Sequence, residues 1–302
     1  MLPHLRRRLS KLSGKVKRSL VKRGPIAALL RSVPNDAVIL EIGGGYDPRY
    51  VKPTHPNVHH LDHASTEQLR AKFSADPTVA HLIDKVQHID FVFDGRPIET
   101  LVPPELRFDV IYGSHVLEHQ VDLVGHLQSL EKLLKPAGRV IEMIPDLRTC
   151  FDALRFPTVT ADVLAAHQRG APTHRGKEVF DFLSRQIDKN HGFRMSGADF
   201  DDVHFAFSLQ HAWQAMQAAE LPGAPYIDTH AWTFTPESFR LLMIELRLMG
   251  LTRLVPTYVS PQYSNQFCTV LEPARKDMAA LPPEAVQRLE RERFELARRL
   301  RV

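Results

Sequence analysis

The chain is poor in sulfur and in continuous apolar sequence. Only Cys150 and Cys268 are cysteines among 302 residues. They form no spaced framework, which excludes a disulfide scaffold and makes a reducing compartment, the cytoplasm, the expected location. No run approaches the ~18 apolar residues that a membrane-spanning helix requires. Glycine is scarce at 15 residues, so three in succession at 43–45 carry information. Acidic residues are missing from residues 1–23, where nine basic ones gather: Arg6, Arg7, Arg8, Lys11, Lys15, Lys17, Arg18, Lys22 and Arg23. The whole chain is +4, which leaves the remainder at about −5. Leu2, Leu5, Leu9, Leu12, Val16 and Leu20 recur in three- and four-residue steps, a basic amphipathic helix pattern. Such a helix can lie on an anionic membrane surface, at the inner face of the membrane, or dock on the core. It lacks the uninterrupted apolar stretch of a secretory signal. It also lacks the aromatic residues that stack on bases, so no nucleic-acid partner is expected.

What is present is a series of strand signals that end in polar residues. VILEIGGGYDP (38–48) runs from apolar residues through Glu41 into Gly43, Gly44 and Gly45. A hydrophobic run that stops in glycines predicts a buried parallel strand emptying into a tight loop, where the backbone can approach a ligand closely. Asp62, in VHHLDH, follows Glu41 by 21 residues, a spacing suited to a carboxylate that accepts hydrogen bonds from ribose hydroxyls. QHIDFVFD (87–94) predicts a third strand ending at Asp94. FDVIYGS (108–114) predicts a fourth, followed directly by a helix over HVLEHQVDLVGHLQSLEKLL. GRVIEMIPD (138–146) predicts a fifth, after a turn at Lys135–Gly138. Strands alternating with helices imply a parallel sheet covered on both faces, with its ligand beyond the carboxyl ends of the strands. Gly43–Asp47, Asp62, Asp94, Ser114, His115 and Asp146 all fall at those ends. Taken singly, such acids also serve as helix caps and turn residues. Asp90 reads as a strand residue, and Glu142 and Met143 as alternating positions of the fifth strand.

LEIGGGYDP, Asp62, Asp94-Gly95, FDVIYGSHVLEH and LLKPAGRVIEMIPD together resemble the ordered motifs of class I S-adenosylmethionine-dependent methyltransferases. The resemblance covers roughly residues 36–150, with a return of the fold at 236–272. PDLRTCFDALRFPT and DTHAWTFTPESF further resemble bacterial methyltransferases associated with surface-polysaccharide synthesis. The resemblance implies a Rossmann-like, doubly wound sheet of seven mostly parallel strands with an antiparallel final strand, and S-adenosyl-L-methionine as cofactor. It implies that Gly43, Gly44 and Gly45 pass close to the methionine part and that Glu41 supports that loop through the amino group of that part or water. Asp62 would hold the ribose, Asp94 the adenine amino group beside Phe93, and Ser114 and His115 the methionyl side. One departure stands out: Asp47 occupies a position where the family loop places a small residue. Pro48 and RYVKPTHPNVHH then leave no room for a long helix before the second strand.

Methyl transfer to a sugar hydroxyl requires near-attack positioning and a proton acceptor. His115, His119, Asp146 and His230 are the candidate catalytic residues, with Asp228 beside His230 in YIDTHAWTFTP. Imidazole, with an ordinary pKa near ~6.5, suits the task of a base. No residue is assigned as a metal ligand. Mg²⁺ enters only if Asp146 and Asp228 meet in space, since it prefers carboxylate oxygens. His115-Val-Leu-Glu118-His119 also spells H-x-x-E-H, a zinc-peptidase pattern that places two histidines on one helix face, with His59, His60 and His63 as conceivable further ligands. The expected acceptor is a carbohydrate hydroxyl. The alternatives are another small molecule methylated at O, N or C, a non-catalytic scaffold that keeps the cofactor pocket, and a zinc hydrolase.

The expected organisation is a basic segment (1–24), a cofactor-binding core (25–150), an inserted lid that binds the acceptor (151–235), a return of the core (236–274) and a charged helix (275–302). Arg148, Arg155, Asp181, Trp213 and Trp232 in or beside the insertion could meet a sugar or form the lid's own core. TRLVPTYV and NQFCTVLEP predict an antiparallel closing pair. The sequence does not specify an oligomeric state.

Overall fold

The computed structural model describes residues 24–170, 173–188 and 203–300. The basic segment 1–23, with its expected membrane-facing helix, lies outside the described residues. Among the described residues no helix is long and apolar enough to cross a membrane.

Seven strands form one sheet: β1 (Ile39–Ile42), β2 (Val58–Asp62), β3 (Phe91–Val92), β4 (Phe108–Ser114), β5 (Leu134–Pro145), β6 (Leu254–Val259) and β7 (Gln266–Pro273). Their order is β3-β2-β1-β4-β5-β7-β6. β1 pairs in parallel with β2 and β4, as do β2 with β3 and β4 with β5. β7 is antiparallel to both β5 and β6, so six strands share a direction and one opposes them. This is the expected Rossmann-like class, and the closing pair is the antiparallel pair read from TRLVPTYV and NQFCTVLEP.

Burial explains why these residues are strands. All four residues of β1 are buried, as a parallel strand covered on both faces must be. On one face α3 (Leu123–Leu133) and α7 (Pro236–Leu248) contribute Leu123, Leu127, Leu130, Phe239 and Leu242 to the main core. On the other, α1 (Pro25–Arg31) and Tyr50 pack against Ile39, Val110, Tyr112 and Ile141. Helix starts follow local chemistry. Ser65 and Gln68 form a reciprocal capping box at α2 (Thr66–Ser74). Asp122 accepts the Gly125 N–H at α3. Thr235 and Ser238 cap α7, with Pro236 as its first residue.

Three expectations are corrected. No helix begins at His115: a short 3₁₀ turn spans Leu117–His119 and α3 starts at Leu123. The cause is local, because His115 has φ 57°, a left-handed conformation that cannot begin a right-handed helix. The third strand shrinks to Phe91–Val92, an edge strand paired only with the end of β2. The fifth begins at Leu134, directly after α3. Its register with β4 shifts between Phe108 and Val110, and the expected turn at Lys135–Gly138 falls within that irregularity. The link between β1 and β2 contains no helix, as its prolines require.

The insertion carries α4 (Thr160–Arg169), α5 (Gly176–Arg185) and α6 (Leu209–Ala219). Val179, Phe182 and Leu183 of α5 meet Ala212 and Ala219 of α6 in a separate small core. A charged helix, α8 (Pro283–Leu300), follows the sheet.

Candidate functional site at the carboxyl edge of the sheet

β1 ends in the glycine turn. Gly43 and Gly45 have φ of 68° and 49°, conformations that glycine adopts without Cβ strain. A Cβ on Gly43 would sit 2.7 Å from Val116 Cγ2, so the residue lets the loop lie against the segment that follows β4. Glu41 holds the far side of the loop. Its Oε1 accepts the Arg49 N–H at 2.6 Å and its Oε2 the Tyr50 N–H at 2.8 Å. Burial raises its pKa to about 7 against the opposing pull of those two N–H donors. In this structure the Glu41 carboxylate binds two backbone donors of the segment after the loop, a different contact from the expected one through the cofactor's amino group or water.

Asp62 closes β2 beside this turn. Its Oδ2 accepts the Gly45 N–H at 3.3 Å, and its Oδ1 accepts the His63 N–H at 2.8 Å. Asp94 stands beyond the neighbouring edge strand and is exposed; Arg96 grips it through Nε at 2.8 Å and Nη2 at 2.7 Å. The Arg96 side chain and backbone N–H hold its carboxyl below the usual carboxylate range.

The segment after β4 builds a second group around Glu118. This glutamate is 1% exposed, and neither carboxylate oxygen has a hydrogen-bond partner among the described residues. Three imidazole nitrogens face its Oε1: His115 Nδ1 at 3.6 Å, His230 Nε2 at 3.9 Å and His119 Nε2 at 4.0 Å. Each ring is held on its other nitrogen. Gln266 Oε1 lies 2.6 Å from His115 Nε2, Asp228 Oδ1 2.9 Å from His119 Nδ1, and Asp152 Oδ2 2.6 Å from His230 Nδ1. Asp152 is itself fixed by buried Arg155 at 2.9 Å. Burial opposes charge on His119, yet Asp228 and Glu118 outweigh it and raise its pKa. The neighbouring His119 lowers the Asp228 carboxyl well below its ordinary value. Burial would raise the Asp152 carboxyl, but His230 and Arg155 outweigh it and keep the group low.

The structure therefore brings His115, His119 and His230 together, and it ties Asp228 to the same group. Asp146 is engaged elsewhere: buried at 0% exposure, it receives Arg148 Nε at 2.9 Å and Nη2 at 2.7 Å. It does not join Asp228. The residues among those described that could converge on a metal ion are Glu118, His119 and His230, so the conditional basis for Mg²⁺ is not met. The H-x-x-E-H residues lie on a left-handed residue and a 3₁₀ turn, not on one helix face, which removes the geometry the peptidase reading needs. His230, Glu118 and Asp152 are brought together by the fold alone. Glu118 had a signal in the motif; Asp152 had none. Arg155 and Trp232, read as conceivable acceptor contacts, are buried. Arg155 binds Asp152 and Asp181, and Trp232 Nε1–H donates to the Gln120 carbonyl at 2.6 Å.

Residues 6–246 match the family described as a methyltransferase domain. No curated protein matches the chain by sequence. Among solved structures, the chain is similar to the CcbJ methyltransferase from Streptomyces caelestis, at 13% identity over 82% of this chain and 88% of that one, with a TM-score of 0.41. It is similar to DhpI in its complex with SAH, at 12% identity over 90% and 95%, TM-score 0.41. It is also similar to the mitomycin 7-O-methyltransferase MmcR, at 12% identity over 80% of this chain, TM-score 0.37, and spans 50% of that chain's length. With the matched residues covering most of its length, and the glycine turn and strand-end acids all inside the match, this chain belongs to the methyltransferase-domain family.

Proposed function

We propose that the chain transfers the methyl group of S-adenosyl-L-methionine to a hydroxyl of a small acceptor, a sugar in a polysaccharide or glycolipid pathway being the leading class. One observation carries the cofactor reading: the Asp62 carboxylate lies against the left-handed glycine turn, within 3.3 Å of the Gly45 N–H. Its Oδ2 accepts one protein N–H, and its Oδ1 accepts the His63 N–H and is also faced by the half-exposed His63 Nδ1 at 2.6 Å, a side chain that a ribose hydroxyl would displace. A carboxylate has about four lone-pair sites, so capacity remains for a ribose diol. The turn, lacking Cβ atoms, admits the close backbone approach that the methionyl part needs. Asp94, at the end of the neighbouring strand, supplies an acceptor for an exocyclic amine. These groups fit the cofactor.

When bound, the sulfonium supplies an activated methyl group. The chain's own residues must then place the acceptor in line and take its proton. His115, His119 and His230 supply imidazole nitrogens for that role at the same edge of the sheet. A cavity of about 460 Å³ lies between residues 156–159, α5 and residues 231–233, with Lys177, Asp181 and Phe156 on its walls.

Calorimetric titration with S-adenosylhomocysteine tests the reading. Micromolar binding that is lost in Asp62→Ala and weakened in Gly43→Val supports it. Incubation with S-adenosylmethionine and a panel of glycans and nucleotide sugars, read by mass spectrometry, then identifies the acceptor. Absence of binding by the folded wild-type chain would overturn it. Binding without transfer to any acceptor would favour the scaffold alternative.

A further inference from the structure

Glu118, His119 and His230 offer one ligand atom each, and all three atoms lie within 4.8 Å of one another. We infer that these residues form a binding site for a first-row transition metal ion, Zn²⁺ or one of its divalent neighbours.

The Glu118 carboxylate is orphaned. Glu118 is 1% exposed and both its oxygens lack a hydrogen-bond partner among the described residues. A buried carboxylate is stable when it is paired, coordinates a metal or holds a proton, as Glu142 does; Glu118 differs from Glu142 in having three imidazole nitrogens around it. Its neighbours do not close hydrogen bonds to it: the nitrogens of His115, His230 and His119 stand at 3.6, 3.9 and 4.0 Å, whereas a charge-assisted N–H···O bond closes to about 2.7–2.9 Å.

Asp228 lies 2.9 Å from His119 Nδ1 and Asp152 lies 2.6 Å from His230 Nδ1. At His230 the carboxylate hydrogen-bonded at Nδ1 draws the ring proton there and leaves the Nε2 lone pair facing inward, while Asp228 is an ion-pair neighbour of His119 Nδ1 without a hydrogen bond to it. The His230 lone pair, His119 Nε2 and a Glu118 oxygen then face one common space. A cation resolves that arrangement. Carboxylates behind the coordinating histidines are also the outer-shell pattern that orients metal-bound imidazoles.

Two imidazoles and one carboxylate suit Zn²⁺, Fe²⁺, Co²⁺ and Ni²⁺, while Mg²⁺ favours all-oxygen sites. With bonds of about 2.0–2.1 Å, tetrahedral ligand atoms stand about 3.3 Å apart. Closing separations of 3.9–4.0 Å to Glu118, and of up to 4.8 Å across the group, therefore needs side-chain movements of several tenths of an ångström to about 1.5 Å. Three protein ligands leave a coordination position open. His115 and His119 are the partly exposed members of the group, with side chains 37% and 25% accessible, and they mark the side from which an exchangeable oxygen ligand would enter.

The site stands on this geometry and does not depend on the methyl-transfer reading; with the ion bound, His119 and His230 serve as ligands and His115, outside the triad, is the imidazole left to take an acceptor's proton. The test uses Co²⁺ alone, added to the full chain after chelator treatment and dialysis. Expected is saturation at one equivalent, with visible d–d bands of a four- or five-coordinate ion. Zn²⁺ should displace the bands, and Mg²⁺ should not at about a hundredfold excess. Glu118→Gln and His230→Ala should each abolish the bands, while His63→Ala, outside the cluster, should leave them intact. Near-ultraviolet circular dichroism and S-adenosylhomocysteine titration of the same variants report whether the fold and the cofactor site persist. A folded wild-type chain that gives no bands, or bands that survive in both Glu118→Gln and His230→Ala, would overturn the assignment. Efficient displacement by Mg²⁺ would overturn the metal class.

Discussion

Glu41 clamps Tyr50: the carboxylate of the first strand takes the Tyr50 N–H at 2.8 Å and the adjacent Arg49 N–H at 2.6 Å. The bond pair fixes a loop that has no helix to stiffen it. Glu41→Ala leaves two donors without their acceptor, at about 1–3 kcal/mol for each group that stays buried. Urea denaturation should show a loss of that order, and S-adenosylhomocysteine affinity should fall with it. Glu41→Gln keeps one oxygen and should lose less on both measures.

Gly43 is constrained twice, by its φ of 68° and by the approach of Val116 Cγ2 to the place of a Cβ. Gly43→Ala should destabilise the fold by about 1–2 kcal/mol from the backbone alone and further from the contact. In a double-mutant cycle with Val116→Ala, the contact part should be recovered and the backbone part should not. A cycle with no coupling energy would refute the contact.

Arg96 competes for the carboxylate that the adenine amine is expected to meet. Arg96→Ala should therefore tighten S-adenosylhomocysteine binding a few-fold, since the carboxylate no longer exchanges its Arg96 partner for the amine. Asp94→Ala should weaken it. Calorimetry on the two variants should give opposite signs; equal signs would remove Asp94 from the cofactor site.

Glu142 is fully buried on β5, opposite Gly113, and its oxygens lack hydrogen-bond partners among the described residues. A Cβ at Gly113 would overlap that carboxylate. Burial first, and the charge of Glu118 second, push its pKa up to about 8. Between its unfolded value, near ~4.5, and about 8 the native state holds a proton that the unfolded chain releases. Stability should fall as pH rises through this window, with a slope of up to about 1.4 kcal/mol per pH unit from this residue. Glu142→Gln should flatten the pH dependence of unfolding measured on chelator-treated protein. An unchanged profile would contradict the shift.

Much of this edge was legible in the sequence because its information is local. Three glycines after an apolar run mark a turn, and Asp62 and Asp94 stand where strand signals stop. The Thr235-Pro236 start of α7 is likewise written in adjacent residues. The region after β4 misled, since helical periodicity in HVLEHQVDLVGHL continues through residues whose backbone is not helical. A left-handed His115 leaves no mark in hydrophobic spacing. Asp152 and His230 are 78 positions apart and His115 and Gln266 are 151 apart. Such pairings arise from the packing of the insertion and the closing strands, and no short-range pattern encodes them.

The reversed direction of β7 separates the order in which the chain is made from the order in which the site is completed. Because this strand alone opposes its neighbours, its first residue, Gln266, lies at the edge where the others finish, beside Pro145 and His115. During synthesis the glycine turn, Asp62, Asp94 and all three imidazoles are available before that residue exists. A nascent chain that stops short of position 266 can assemble the front of the sheet, yet its His115 ring still lacks the amide that fixes it. Completion of the site is thereby tied to one of the last strands to emerge.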